Sequence, residues 1–133
     1  MKTTKKINKI ISIGHYPYDL MISFNETDDS FKKKMKYFGI ESENYNEEIF
    51  NLAKSKNKRG RYSLFLKDKQ SVIRLNFIPN IRDPEEMGLL QHEIFHVVHF
   101  FMEEINTPLV NKTSEPYAYL IQYLTKEIYK LLY

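Results

Sequence analysis

Two histidines stand four residues apart, with a glutamate directly after the first, in His92-Glu93-Ile94-Phe95-His96, an H-E-x-x-H pattern. On an α-helix, residues four apart share one face about a turn from each other, so both imidazoles reach a single metal ion. Glu93 falls roughly 100° around the axis from His92, which lets its carboxylate meet a water on the metal without being a ligand. A metal lowers the pKa of its water towards ~7, and a carboxylate takes the proton as the water attacks, which is metal-assisted hydrolysis. The same five residues also arise by chance on surface helices, as two exposed histidines and a solvated glutamate. Here Ile94, Phe95, Val97, Val98, Phe100 and Phe101 surround them. Such neighbours imply a largely buried helix, in which imidazoles and a carboxylate need a partner that a cation supplies.

A catalytic zinc takes three protein ligands and keeps a fourth position open. The chain has no cysteine, so only His, Asp and Glu are strong ligands. Glu115 is the candidate for the third position, because it opens the next helical segment after a loop long enough for the chain to double back. The alternative is that Glu115, directly after Ser114, is a first-turn acid complementing the helix dipole. His99, one turn beyond His96, would close the site as a fourth ligand and make the zinc structural. A supporting or core role, which leaves the site open, is the preferred reading. Tyr119 lies four residues after Glu115 on the same helix face, where its hydroxyl could donate to a tetrahedral oxyanion, or it packs like the other nine tyrosines. His15, between Gly14 and Pro17, reads as a loop histidine.

The elements that must position these groups are legible from caps and periods. Asp83 and Pro84 suit an N-cap and first helical position, and a helix-compatible pattern runs from Glu85 through Glu104 until Asn106 and Pro108. A final helix is expected from about Ser114 to Leu132, with Tyr117, Leu120, Ile121, Leu124, Ile128 and Leu131 as its buried stripe. Upstream, Arg61 to Lys67 and Ser71 to Ile78 alternate as a β-hairpin ended by Pro79. Thr27 caps a helix from Asp28 to about Phe38, and Asn46 to Ala53 forms a second, dissolving into a basic segment. Lys5 to Phe24 carries one or two short strands.

With these residues in place the chain resembles the gluzincin zinc peptidases, which pair H-E-x-x-H with a Glu on the following helix. The 18 residues from Val97 to Ser114 match the spacing of their aminopeptidase branch. It also looks like the small zincin-like peptidases of tailed phages and prophages. That likeness rests on the opening Tyr16 to Asp19, the strand Val72-Ile73-Arg74-Leu75, the motif helix and the ending Glu115 to Leu120, with Pro116 where Ala is more usual. The resemblance implies one zinc per chain, ligands His92, His96 and Glu115, Glu93 as general base, and hydrolysis of a peptide bond in a peptide or protein substrate. It also implies that a free sheet edge pairs with extended substrate, a role assigned to Ser71 to Ile78.

The expected architecture is α+β and zincin-like, a small mainly antiparallel sheet packed on the motif helix and the C-terminal helix. At 133 residues, 1–133 forms one domain. A net charge of +3 does not by itself call for nucleic acid, and the basic runs at Lys32 to Lys36 and Lys54 to Arg61 read as solvated faces. The apolar residues never run to a bilayer span, and Asn8 and Lys9 break up the start of the chain, so neither a membrane anchor nor a signal peptide is expected. The expected location is the cytoplasm, that of the host cell for a phage protein, or the virion. The rival to an enzyme is a catalytically silent zincin-fold component of a phage particle or its assembly, partnered by phage structural proteins. Retention of Glu93 argues for the enzyme, and the short chain argues for the rival.

Overall fold

A computed structural model of the chain describes residues 5–13, 18–37, 47–54, 59–66 and 70–133. His15, the expected helix end at Phe38, most of the basic run before Arg59 and the hairpin turn at 67–69 lie outside the described residues. The strands are β1 (Ile7–Ser12), β2 (Asp19–Phe24), β3 (Arg61–Leu66) and β4 (Gln70–Leu75), and the helices are α1 (Asp28–Tyr37), α2 (Glu47–Phe50), α3 (Pro84–Glu104) and α4 (Ser114–Lys130).

The four strands form one sheet in the order β1-β2-β4-β3. β1 and β3 run antiparallel to their neighbours, while β2 and β4 at the centre are parallel, in register from Asp19 opposite Gln70 to Phe24 opposite Leu75. The fold is therefore α+β, with two of its three strand pairings antiparallel. β4 has a partner on each side and so offers no free edge. The strand expected to receive an extended peptide is thus interior, and the outer edge beside α3 belongs to β3.

Residues 20–24 and 71–75 are buried without a break, as central strands covered on both faces must be. Leu20, Ile22, Phe24, Ile73 and Leu75 point to one side, where Leu90, Ile94, Val97, Val98 and Phe101 of α3 and Leu120, Leu124 and Ile128 of α4 complete the main core. Met21 and Val72 point to the other, against Phe31 and Met35 of α1 and Ile49 and Phe50 of α2. The outcome is helix, sheet and helix in three layers.

Arg74, an alternate residue of β4, faces the α1/α2 layer and is fully buried. Its guanidinium donates to the carbonyl of Ile49, to the carbonyl of Glu26 at 3.0 Å and to Asp28 Oδ1 at 2.8 Å, and lies 4.3 Å over the Phe31 ring. Burial pulls its pKa below the ordinary arginine value, against Asp28, which holds it up.

Local signals account for α3. Asp83 caps it as expected, accepting from the backbone N–H of Glu85 at 2.9 Å and of Glu86 at 3.4 Å, with Pro84 following. Its far end closes on Asn106, whose φ of 57° is a left-handed conformation that asparagine tolerates. The Asn106 N–H donates to Glu103 O at 3.0 Å and the Thr107 N–H to Met102 O at 2.8 Å, a Schellman closure. Tyr117 then ties α4 to this turn through a hydroxyl donated to Thr107 O at 2.8 Å.

Candidate metal centre

α3 presents three faces, and the motif is divided among them. Leu90, Ile94, Val97 and Phe101 turn into the core, and the histidines turn to its solvent edge. His92 has a side chain 55% exposed, His96 is half-buried, and Phe95 is 41% exposed. The expectation that burial would force the imidazoles to seek a cation does not hold. Of the motif's ionisable groups only Glu93 is buried, at 4%.

The geometry of the group is nevertheless convergent. His92 Nε2 and His96 Nε2 are 3.0 Å apart, with ring centroids at 4.6 Å and planes at 77°. Glu93 Oε2 lies 3.8 Å from His92 Nε2, and one ligand atom from each of the three residues falls within 4.8 Å of the others. Two nitrogens bound tetrahedrally to zinc at ~2.0–2.1 Å would stand roughly 3.3 Å apart. The imidazole pair therefore fits a single small cation with little movement. In that state both Nε2 atoms are lone-pair donors and both Nδ1 atoms carry the protons. Phe100 stacks on the His96 ring at a centroid distance of 6.0 Å and 17° between planes, which limits its rotation.

Glu93 is held from the sheet side. Its Oε2 lies 3.4 Å from Nε of Arg61, the first residue of β3. The start of β3 is fixed by a close approach at Gly60, where a Cβ would come within 2.8 Å of Asn76 Nδ2 and 3.0 Å of Leu52 Cδ1. The Gly60 carbonyl also accepts the Asn76 N–H at 2.9 Å. Two clefts meet at this point. One, of about 720 Å³, opens between α2, β3 and α3 and is lined by Glu47, Glu48, Arg61, Tyr62, His92 and Glu93 among others. The other, of about 270 Å³, continues past Ser63, His96 and Phe100. Arg61 belongs to no motif and reads in the sequence as the end of a basic run, and its place beside Glu93 follows only from the fold.

The remaining expected site residues stand apart from this group. Glu115 is exposed in the first turn of α4 and is not a member of the His92-Glu93-His96 cluster. At about 100° per residue it lies roughly 160° from the buried Tyr117, on the outer side of α4. α4 also runs along the other flank of α3, where Gln91 Nε2 meets Thr125 Oγ1 at 3.2 Å, roughly 200° around the helix from Glu93. Tyr119 shares that outer side and is 66% exposed. His99 pairs instead with Glu103 Oε1 at 3.1 Å and stacks on Phe95 at 6.0 Å.

Arg59, just before β3, forms ion pairs with Asp83, Glu85 and Glu86 at 3.5, 2.8 and 3.6 Å, and the hydrogen bond and charge of Glu85 raise its pKa. This part of the basic run is tied to the first turn of α3. Comparison of the chain with models of known families, with characterised proteins and with solved structures finds no match.

Proposed function

We propose that the protein is a zinc-dependent hydrolase acting on peptide bonds, with His92 and His96 as metal ligands and Glu93 as general base. The observation that carries this reading is the pair of imidazole nitrogens 3.0 Å apart beside a buried carboxylate that opens onto the same clefts. A structural zinc has no need of that carboxylate. The α+β layering, with the motif helix laid against a sheet edge at β3, supports a zincin-like arrangement in which extended substrate lies along β3.

A zinc ion held there would supply Lewis-acid polarisation of a carbonyl and a water of lowered pKa. The chain's own work is positional. His92 and His96 present their ring nitrogens from successive turns of α3 and would hold the ion through Nε2. Glu93 is held by Arg61 and walled by α3 and β3, accepts the proton of the attacking water and returns it to the leaving amine. Of the carboxylates that could serve as third ligand, Glu47 and Glu48 line the larger cleft with His92 and Glu93, and neither they nor Glu115 belong to the His92-Glu93-His96 cluster.

That last placement favours a second reading, a metal-binding component without activity, such as a part of a phage particle. Among the described residues no helix is long and apolar enough to cross a membrane. The two readings separate on Glu93→Gln, which nearly preserves shape. Under the hydrolase reading zinc content and melting temperature stay near wild type, and peptide cleavage falls by a factor on the order of 10² to 10⁴. Equal cleavage by the variant would remove Glu93 from the mechanism. Stoichiometric zinc with no cleavage of a diverse peptide library would establish the silent reading.

A further inference from the structure

We propose that Arg61 is a specificity-determining residue that binds a carboxylate of the substrate, so that the site prefers peptides with a carboxylate within about two residues of the cleaved bond. The inference rests on the hydrolase reading above and adds a substrate class to it. Arg61 stands where the two clefts meet and lines both. Its Nε is engaged by Glu93 at 3.4 Å. Among the described residues its terminal Nη1 and Nη2 groups have no partner, although the side chain is only 35% exposed. A guanidinium carries five N–H donors in a fixed fork that matches a carboxylate, and Arg61 brings that fork to the lining of both clefts.

The charges around it sharpen the argument. Arg61 is the sole cation among the described lining residues of either cleft, and the larger one also bears Glu47, Glu48 and Glu93. An anion is therefore repelled at these carboxylates and accepted at one point. That point adjoins Glu93, which itself lies 3.8 Å from His92 Nε2. Because an extended peptide advances ~3.3 Å per residue, a carboxylate docked on Arg61 sits close to the bond presented to Glu93. The carboxylate can be the C-terminus of a short peptide or an Asp or Glu side chain, and the chemistry of recognition is the same.

The test compares zinc-loaded wild type on three sets of N-acetylated peptides: free C-terminal acids, the corresponding amides, and amides with Asp or Asn beside the scissile position. Binding is read by calorimetry and turnover by product release. The expected result is a KM and a Kd about ten- to a hundredfold lower for a carboxylate-bearing peptide, the range of a charge-assisted hydrogen bond, with kcat little changed. A gain in the free acids identifies the C-terminus as the source, and a gain in the Asp amides identifies the side chain. Arg61→Gln should abolish the preference. Arg61→Lys, which keeps charge but loses the fork, should retain part of it and serves if the Gln variant melts early. Arg82→Gln, outside both clefts, should leave it unchanged. Acids and amides behaving alike in wild type, or an undiminished preference in Arg61→Gln, overturns the proposal. Absence of cleavage refutes the hydrolase reading alone, since the calorimetric comparison of acid with amide still decides for or against Arg61.

Discussion

Replacing Arg74 by alanine should cost the protein a large part of its stability. The guanidinium is fully buried and holds three acceptors, the carbonyls of Ile49 and Glu26 and the carboxylate of Asp28. Asp28 is itself only 5% exposed, and its Oδ1 also accepts the Ala53 N–H at 2.9 Å. Truncation strands a buried carboxylate without its cation, which costs about 3–5 kcal/mol in comparable buried pairs. Against the total of roughly 5–15 kcal/mol expected of a domain, this is about a fifth or more. At roughly 2–8 °C per kcal/mol for domains of this size range, the melting temperature should drop by at least ~6 °C. The assay is urea denaturation of Arg74→Ala, Asp28→Asn and the double variant. The two changes should couple by about 1–3 kcal/mol, because each removes the other's partner. A loss below about 1 kcal/mol in Arg74→Ala, or strict additivity in the double variant, would refute the account of Arg74 and Asp28 as one buried unit.

Three further outcomes follow from the proposed metal centre. His92→Ala or His96→Ala should lose tight zinc binding, measured by elemental analysis after gel filtration, and full occupancy in either would dismiss the imidazole pair as the ligands. Zinc added to metal-stripped wild type should raise the melting temperature by an amount growing with the logarithm of free zinc above Kd, and a flat response would mean the ion does not bind the folded state. Glu115→Gln should alter zinc affinity less than about threefold given its place on the outer side of α4. A loss of tenfold or more would show that the first turn of α4 reaches the metal in solution.

Features encoded within a few residues were legible in the sequence. Asp83 and Pro84 announce the start of α3, Asn106 and Pro108 its end, and the four-residue spacing of His92 and His96 requires a shared helix face. Thr27 caps α1 as read, its Oγ1 accepting the Ser30 N–H at 3.1 Å. The second helix was less so. It is a single turn at Glu47–Phe50, followed by a 3-10 turn at Leu52–Lys54. What was hidden depends on distant partners. An arginine in a strand reads as solvent-facing, and Arg74 is buried only because α1 and α2 cover that face with acceptors. The interior place of β4 requires knowing that β2 pairs with it across some fifty residues of chain. The exposure of His92 and the outward turn of Glu115 depend on which flank α4 takes along α3, which no local spacing determines.

The parallel pairing of β2 with β4 also bears on how the chain reaches its fold. Antiparallel neighbours close in sequence, such as β3 and β4, meet across few residues, but a parallel pair must wait for a long segment to be ordered or looped out between them. Leu20 and Ser71 come together only after the intervening chain has closed. Docking of the β3–β4 hairpin onto β2 is then the entropically demanding step, and α3 and α4 gain a complete sheet to pack on only after it. Conservative substitutions at Ile22 and Ile73 should accordingly slow refolding, while those at Leu124 and Ile128 should mainly speed unfolding. Stopped-flow rates in urea that place the large folding effects in α4 instead would reverse this order.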